Sequence, residues 1–302
     1  MGKGNAPPRG ILVVGGAGGL GSEICRHLCN LGERVIAVDN VSTGSLVNIE
    51  DLYQRDNFTF IREDISNLDI PGGVRKIIFL PNPDKGSGAD VFDTNIDGLI
   101  NCLDYCSDTT CRMLYCSSPT PLSPIDGSQM SSAYYLSRQY GESLVRTFYE
   151  KFNLPTAIVR VPSVYGAQHI GSSQIVCRFI NEAVSSGRIN VLKDPNSSRA
   201  YLHISDFIAS IYEIVKMLDR GGLLVLNLPG SEVKTASEVA KEIAKEIKKN
   251  TGKAIAINHS GRRYTHKRSV VSRGPSPIKS RPRIKMANVL WRMIESKLDE
   301  MQ

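Results

Sequence analysis

The chain has 302 residues, long for one small domain and suited to an α/β unit with a smaller appended lobe. Hydrophobic residues make up 41% and charged residues 22%, which excludes a disordered or fibrous chain, and no apolar run approaches the ~18–20 residues that would span a membrane. The net charge of +7 is local: His259 to Lys285 holds nine Lys/Arg and no acid, while the rest carries slightly more acid than base.

In chain order, apolar runs alternate with helical patterns through the first half, the signature of a parallel sheet with crossover helices. Strands are predicted at Ile11–Val14, Val35–Val38, Phe58–Ile61, Ile77–Leu80, Met113–Cys116 and Ala157–Arg160. Helices are predicted at Ser22–Leu31, Phe92–Cys106 and Ala133–Phe152. Pro81 and Pro83 bound the fourth strand. Beyond Arg160 the rhythm loosens. Helices are predicted near Ile175–Ser185 and Asp206–Leu218, then a strand at Leu223–Leu228. Thr235 and Glu238 form a T-x-x-E capping box ahead of a helix running to about Lys248. Gly261–Pro282, rich in Arg, Ser, Pro and Gly, reads as a loop.

The seven cysteines (Cys25, Cys29, Cys102, Cys106, Cys111, Cys116 and Cys177) are odd in number and lack C-x-x-C spacing, against a disulfide framework or zinc site. They read as small buried hydrophobes. Met1–Arg9 has no apolar signal-peptide core, and Ala6 does not fit myristoylation of Gly2. A soluble protein of the reducing cytoplasm, binding no metal, is the expectation.

The strongest local signal is Gly15-Gly16-Ala17-Gly18-Gly19-Leu20-Gly21, between the first predicted strand and the first helix. Gly15, Gly18 and Gly21 give a G-x-x-G-x-x-G spacing. Glycine lets the turn close tightly, lets the backbone approach a pyrophosphate and lets helix pack on strand. The helix N-terminus then presents free N–H groups and partial positive charge to phosphates. Asp39 ends the second strand, 18 residues after Gly21. Its carboxylate can accept from both adenosine ribose hydroxyls and would repel a 2′-phosphate. No Lys or Arg follows in 40–46, so the reading is NAD over NADP.

From this point the sequence resembles the extended short-chain dehydrogenases/reductases that act on nucleotide sugars with NAD, the epimerases, dehydratases and decarboxylases, with the UDP-glucuronate decarboxylases most alike. Ile11–Ile49 resembles their opening, including Asp39-Asn40-x-Ser42-Thr43-Gly44. Asp64-Ile65 matches the acidic–apolar pair that meets adenine, and Asn95-x-x-Gly98 the N-x-x-G helix start. Arg160-x-x-x-Val164-Tyr165-Gly166 matches R-x-x-N-x-Y-G, and Arg199-x-Tyr201-x-His203-x-x-Asp206 is similar to R-x-F-x-x-V-x-D. Asn227-x-x-Gly230 with Ser237-Glu238, and Arg281-Pro282-x-Ile284-x-x-Ala287 beside R-P-D-I-x-x-A, complete the order.

The resemblance implies a Rossmann-type doubly wound parallel sheet with a smaller, discontinuous C-terminal substrate lobe. The NAD-binding domain is expected at 1–165 with a return near 205–230, and the substrate lobe mainly at 166–302, with a basic loop at 259–285. It implies NAD held by Gly15, Gly18, Gly19, Leu20, Gly21, Asp39, Asn40, Ser42, Thr43, Gly44, Asp64, Ile65, Leu80, Asn95, Tyr134 and Arg138. The nucleotide sugar would meet Ser163, Arg199 and Arg281. A homodimer would form through the helices around Phe92–Cys106 and Ala133–Phe152.

It further implies Tyr134 as catalytic base, Ser118 as positioning hydroxyl and Arg138 as the cation favouring the phenolate, since a free tyrosine with a pKa of about 10 is a poor base at neutral pH. Arg138 stands where the family has Lys, and the two are not interchangeable at a fitted site. The usual H-L-A reads Phe79-Leu80-Pro81. Pro119 stands where decarboxylases carry a glutamate, and Ser163 where the family carries Asn. These departures leave open a binding or scaffold protein of the same fold without turnover. The basic segment has two readings, a loop over an anionic ligand or a surface for an external polyanion such as RNA.

Overall fold

The computed structural model describes residues 10–80, 92–119, 129–166, 174–191, 198–259 and 277–301. The expectations for Pro81, Pro83 and the N-terminal residues, and for most of the 261–282 loop, lie outside them. The chain forms two compact units: 1–161, 169–171 and 210–227 in the first, and 162–168, 172–209 and 228–302 in the second.

The first unit is a seven-stranded sheet of β1 (Gly10–Val14), β2 (Val35–Val38), β3 (Phe58–Ile61), β4 (Val74–Phe79), β5 (Arg112–Ser117), β6 (Thr156–Arg160) and β10 (Leu223–Asn227). The spatial order is β10-β6-β5-β4-β1-β2-β3, and every pairing is parallel. This is the expected Rossmann-type doubly wound sheet. All of β1 and β2 is buried, as a parallel sheet covered on both faces requires. The order reverses between β1 and β4, the switch point beside which such sheets bind ligands at the carboxyl ends of their strands. The helices are α1 (Gly19–Asn30), α2 (Gly98–Asp108) and α3 (Gln129–Phe152), with a π-helical turn at Asp93–Asp97 ahead of α2. The fourth predicted strand is displaced, starting at Val74 and ending at Phe79 rather than Leu80. Lys76 explains the missed start. A charged residue interrupts the apolar run, yet its Nζ is satisfied by Val215 O and Asp219 Oδ2, both at 2.8 Å.

In the second unit, β7 (Ser163–Tyr165), β9 (Ser198–His203) and β11 (Glu232–Thr235) form a three-stranded sheet in the order β11-β9-β7. β8 (Arg188–Val191) pairs in parallel with β12 (Ala256–His259). Around them lie α4 (Ile175–Ser186), α6 (Ala236–Thr251) and α7 (Leu290–Asp299). Their apolar faces meet in one core that includes Phe179, Ile180, Ile243, Ile247, Leu290 and Ile294. α5 (Ile204–Met217) precedes β10. The Thr235–Glu238 capping box is present, with Glu238 N donating to Thr235 Oγ1 at 3.1 Å and Thr235 N to Glu238 Oε2 at 2.6 Å. Six of the seven cysteines are buried, and none of the seven forms a disulfide. Among the described residues no helix is long and apolar enough to cross a membrane, and no cluster of His, Cys, Asp or Glu could hold a metal.

Candidate functional site

The turn after β1 is built around contacts that only glycine permits. Gly15 has φ +81°. A β-carbon on Gly21 would stand 2.0 Å from Gly15 O, so no side chain fits where α1 begins. Gly18 N donates to Gly15 O, Gly18 caps α1 with no side-chain bond, and no acid stands in the first turn. Gly19 and Leu20 open the helix half-buried. Its first N–H groups and positive end remain for an anion.

Asp39 closes over this turn. Its Oδ2 accepts from Ala17 N at 3.0 Å and its Oδ1 from Val41 N at 2.8 Å. Burial pushes its carboxyl up from the ordinary value, against the pull of the Val41, Ala17 and Gly18 amides. A carboxylate offers about four lone-pair sites, so accepting capacity remains for a ribose hydroxyl. Asn48, which the sequence reading missed, is 2% exposed and braces the turn by donating Nδ2 to Ala17 O at 2.8 Å. Its signal, one Asn inside a short 3₁₀ segment (Leu46–Leu52), is too common to be read from sequence.

The other predicted contacts in this unit divide into a polar rim and a wall. Asn40 Nδ2 donates to Asp64 Oδ2 at 2.7 Å, and Ser66 donates to Asp64 Oδ1 through both N and Oγ. Burial raises the Asp64 carboxyl, but these bonds outweigh it and its pKa is lowered. Ser42 and Thr43 are exposed, Gly44 is half-buried and Ile65 is 3% exposed. Leu80 N donates to Val14 O at 3.0 Å, tying it to the carboxyl end of β1. Asn95 sits in the π-helical turn, fully buried, donating Nδ2 to Ser137 Oγ at 3.0 Å. Its Oδ1 and the Oγ of Ser117, at the end of β5, have no hydrogen-bond partner among the described residues. Buried polar atoms of this kind call for an explanation, and a bound polar ligand is one. The glycine cradle, the Asp39 carboxylate and these two atoms fit a dinucleotide.

Ser118 follows β5 and is half-buried. Tyr134 and Arg138 lie on α3, four residues and so about one turn apart. The Tyr134 side chain lies outside the described residues. Arg138 is 2% exposed, and its Nη1 donates to Cys116 O at 3.3 Å. One turn further, Glu142 accepts both arms of the Arg160 guanidinium at 2.9 and 2.7 Å, with side-chain exposures of 8% and 12%. This buried pair ties α3 to the end of β6. The sequence reading took Arg160 as a motif residue and did not find its partner, because a Glu in a polar helix face looks solvated until the strand is placed beneath it.

In the second unit, Ser163 is half-buried on β7, Arg199 is exposed on β9, and Arg281 is exposed on the segment leading to Met286. Cross-strand partners share a face of a sheet. Ser163 pairs with Tyr201, Tyr165 with His203, Glu232 with Tyr201 and Lys234 with Arg199, so these seven side chains share one polar face. Tyr165 and His203 meet edge-on at 5.4 Å, and burial lowers the His203 pKa. Tyr201 is fully buried, its phenol pushed up to about 12 by desolvation.

The sequence pattern of the NAD dependent epimerase/dehydratase family matches residues 11–227. The UDP-glucuronic acid decarboxylase 4 of Arabidopsis thaliana is 26% identical over 225 residues, 68% of this chain and 51% of that protein. The chain thus spans about half the length of this relative. The dTDP-glucose 4,6-dehydratase of Neisseria meningitidis is 25% identical over 266 residues, 77% of this chain and 74% of that protein. Among solved structures, the UDP-glucuronic acid 4-epimerase from Bacillus cereus, in complex with UDP-glucuronic acid and NAD, superposes with a TM-score of 0.81 at 21% identity, covering 97% of this chain and 99% of that one. With the family pattern running through the glycine turn, Asp39 and the whole parallel sheet, this chain belongs to the NAD dependent epimerase/dehydratase family.

Proposed function

We propose that this chain holds NAD at the Gly15–Gly21 turn and acts on a nucleotide sugar, a UDP-sugar, by the oxidoreductase chemistry of epimerases, dehydratases and decarboxylases. The observation that carries the reading is the cradle itself: Gly21 with no room for a β-carbon, beside an Asp39 carboxylate with accepting capacity to spare. NAD supplies an acceptor and later donor of hydride. The chain's own residues do the rest. Tyr134 takes the proton of the sugar hydroxyl, Ser118 holds that oxygen by a hydrogen bond, and the Arg138 charge favours the phenolate. Arg199 and Arg281 offer guanidinium groups to the diphosphate, and Ser163 a hydroxyl to the nucleotide sugar. A homodimer through α2 and α3 belongs to the same reading, supported by Leu136 and Tyr140, exposed at 38% and 56% on α3.

A second reading, binding of NAD and nucleotide sugar without turnover, is favoured by one observation. Arg138 is buried and spends a guanidinium nitrogen on the Cys116 carbonyl. One assay separates the two. The protein and its Tyr134→Phe variant are incubated with NAD and a panel of UDP-sugars including UDP-glucuronate, and products are read by NMR. Conversion is expected in the parent and a loss of at least about 100-fold in the variant, the scale of a removed general base. Equal conversion in both removes Tyr134 from the mechanism. No conversion by a folded, NAD-binding parent selects the second reading.

A further inference from the structure

A carboxylate discriminates between ligands only if its own position is held, and the hold on Asp39 runs through one peptide. Asp39 Oδ2 accepts from Ala17 N at 3.0 Å, so the carboxylate follows the Ala17 peptide. That peptide is pinned at its other end by the segment after β2. Ala17 O accepts from Asn48 Nδ2 at 2.8 Å and from Ser45 N at 3.0 Å. Two donors from different residues fix the plane of the peptide, where one would leave it free to tilt. Gly44 lies against the same group: a β-carbon there would stand 3.0 Å from Ala17 C and O and 3.1 Å from Asp39 Oδ2.

Asn48 is 2% exposed, and its Oδ1 has no hydrogen-bond partner among the described residues. A buried acceptor without a partner is unfavourable, and an apolar side chain of that size would fill the space without it. What asparagine supplies here is the Nδ2 donor. Its main chain makes a second tie. Arg26, on α1, donates Nη2 to Asn48 O at 3.0 Å and reaches both oxygens of Asp51 at 2.8 and 2.7 Å. Asn48 thus touches the glycine turn with its side chain and the phosphate-facing helix through its carbonyl.

We propose that Asn48 is a positioning residue for cofactor selection: by orienting the Ala17 peptide it aims the Asp39 carboxylate at the adenosine 2′-hydroxyl, and so sets the preference for NAD over NADP. This rests on the reading of the Gly15–Gly21 turn and Asp39 as the NAD site. The effect is asymmetric. NAD offers Asp39 a 2′-hydroxyl as donor, whereas NADP carries a phosphate at that oxygen and has no such bond to lose. Releasing the Ala17 peptide weakens NAD and spares NADP.

The test is isothermal titration calorimetry of the full chain with NAD and with NADP, on the parent and three variants. Asn48→Ala removes the donor. Gly44→Ala disturbs the same contact from the other side without removing a buried polar group, and it decides the matter if Asn48→Ala does not fold. Asn57→Ala is the control. Asn57 Nδ2 donates to Cys29 O and Glu33 O, both at 2.9 Å, at the far end of α1, so this variant loses a brace of the same kind without touching the turn. Asn48→Ala and Gly44→Ala are expected to bind NAD about tenfold more weakly, the scale of one hydrogen bond to a charged acceptor, and NADP no more weakly than the parent does. Asn57→Ala is expected to lose stability in urea and keep both parental constants. Parental NAD affinity in Asn48→Ala, NADP weakening in step with NAD, or an equal loss of preference in Asn57→Ala overturns the assignment of Asn48. So does a parent that binds the two dinucleotides equally. A parent that binds no NAD removes the NAD reading itself and this role of Asn48 with it.

Discussion

At the residue scale, the polar face of the β7-β9-β11 sheet gives a clean experiment. Tyr201 is fully buried and its hydroxyl has no hydrogen-bond partner among the described residues. Its pKa, raised from 10.0 to about 12 by burial, makes the fold sensitive to alkali. The folded value lies above the unfolded one, so the contribution is fully present below about pH 10 and is lost as pH rises through about 12, amounting to about 3 kcal/mol. Tyr201→Phe is expected to cost less than about 0.5 kcal/mol at pH 7, because the removed hydroxyl bonds no group among the described residues. It should also flatten the fall in stability between pH 10 and 12. Urea midpoints measured across that range check both, and a neutral-pH loss of more than about 1.5 kcal/mol would show that the hydroxyl is well bonded after all. The glycines and Asp39 were legible in sequence because each is demanded by local geometry: a turn, a helix start, a strand end. Asn48 was not, since its role exists only once Ala17 O has been brought to its side chain.

At the element scale, α3 carries both Tyr134 and Arg138, and its seating rests on Glu142 and Arg160. Removing one member of a buried ion pair strands the other. Glu142→Ala is therefore expected to destabilise by about 3 kcal/mol, and the double variant Glu142→Ala/Arg160→Ala by less. Denaturant unfolding of both variants checks this, and a double variant worse than the single one would show that Glu142 holds α3 by another route. The elements read correctly from sequence are those with a strong apolar period, such as β1, β2, α1 and α4. β7, β9 and β11 were missed because every second side chain is polar or charged, and β11 (Glu232–Thr235) has only Val233 as an apolar residue, itself 63% exposed. Such strands are identified by what pairs with them.

At the scale of the whole molecule, ligand binding should appear as stability. A ligand that binds only the folded chain raises its unfolding free energy by RT ln(1 + [L]/Kd), about 2.7 kcal/mol at a hundred times Kd. NAD is expected to raise the thermal midpoint in proportion to the logarithm of its concentration. NADP is expected to do so far less, because an Asp39 carboxylate that accepts from the ribose hydroxyls, as proposed, would repel its 2′-phosphate. Differential scanning fluorimetry with both dinucleotides decides it, and equal shifts would remove Asp39 as the discriminating residue.

The sequence by itself determined the parallel sheet, the glycine turn after β1 and the family, because these rest on local rules: apolar runs of strand length, glycines at fixed offsets and an acid at a strand end. It also located the basic segment. Only the tertiary structure decided what lies under or beside the charged residues. It buried Lys76, Arg138 and Glu142, paired Arg160, and gathered seven polar side chains onto one sheet face. A charged side chain is solvated or buried according to which distant segment covers it. That pairing is a property of the folded chain and leaves no periodic trace in the sequence.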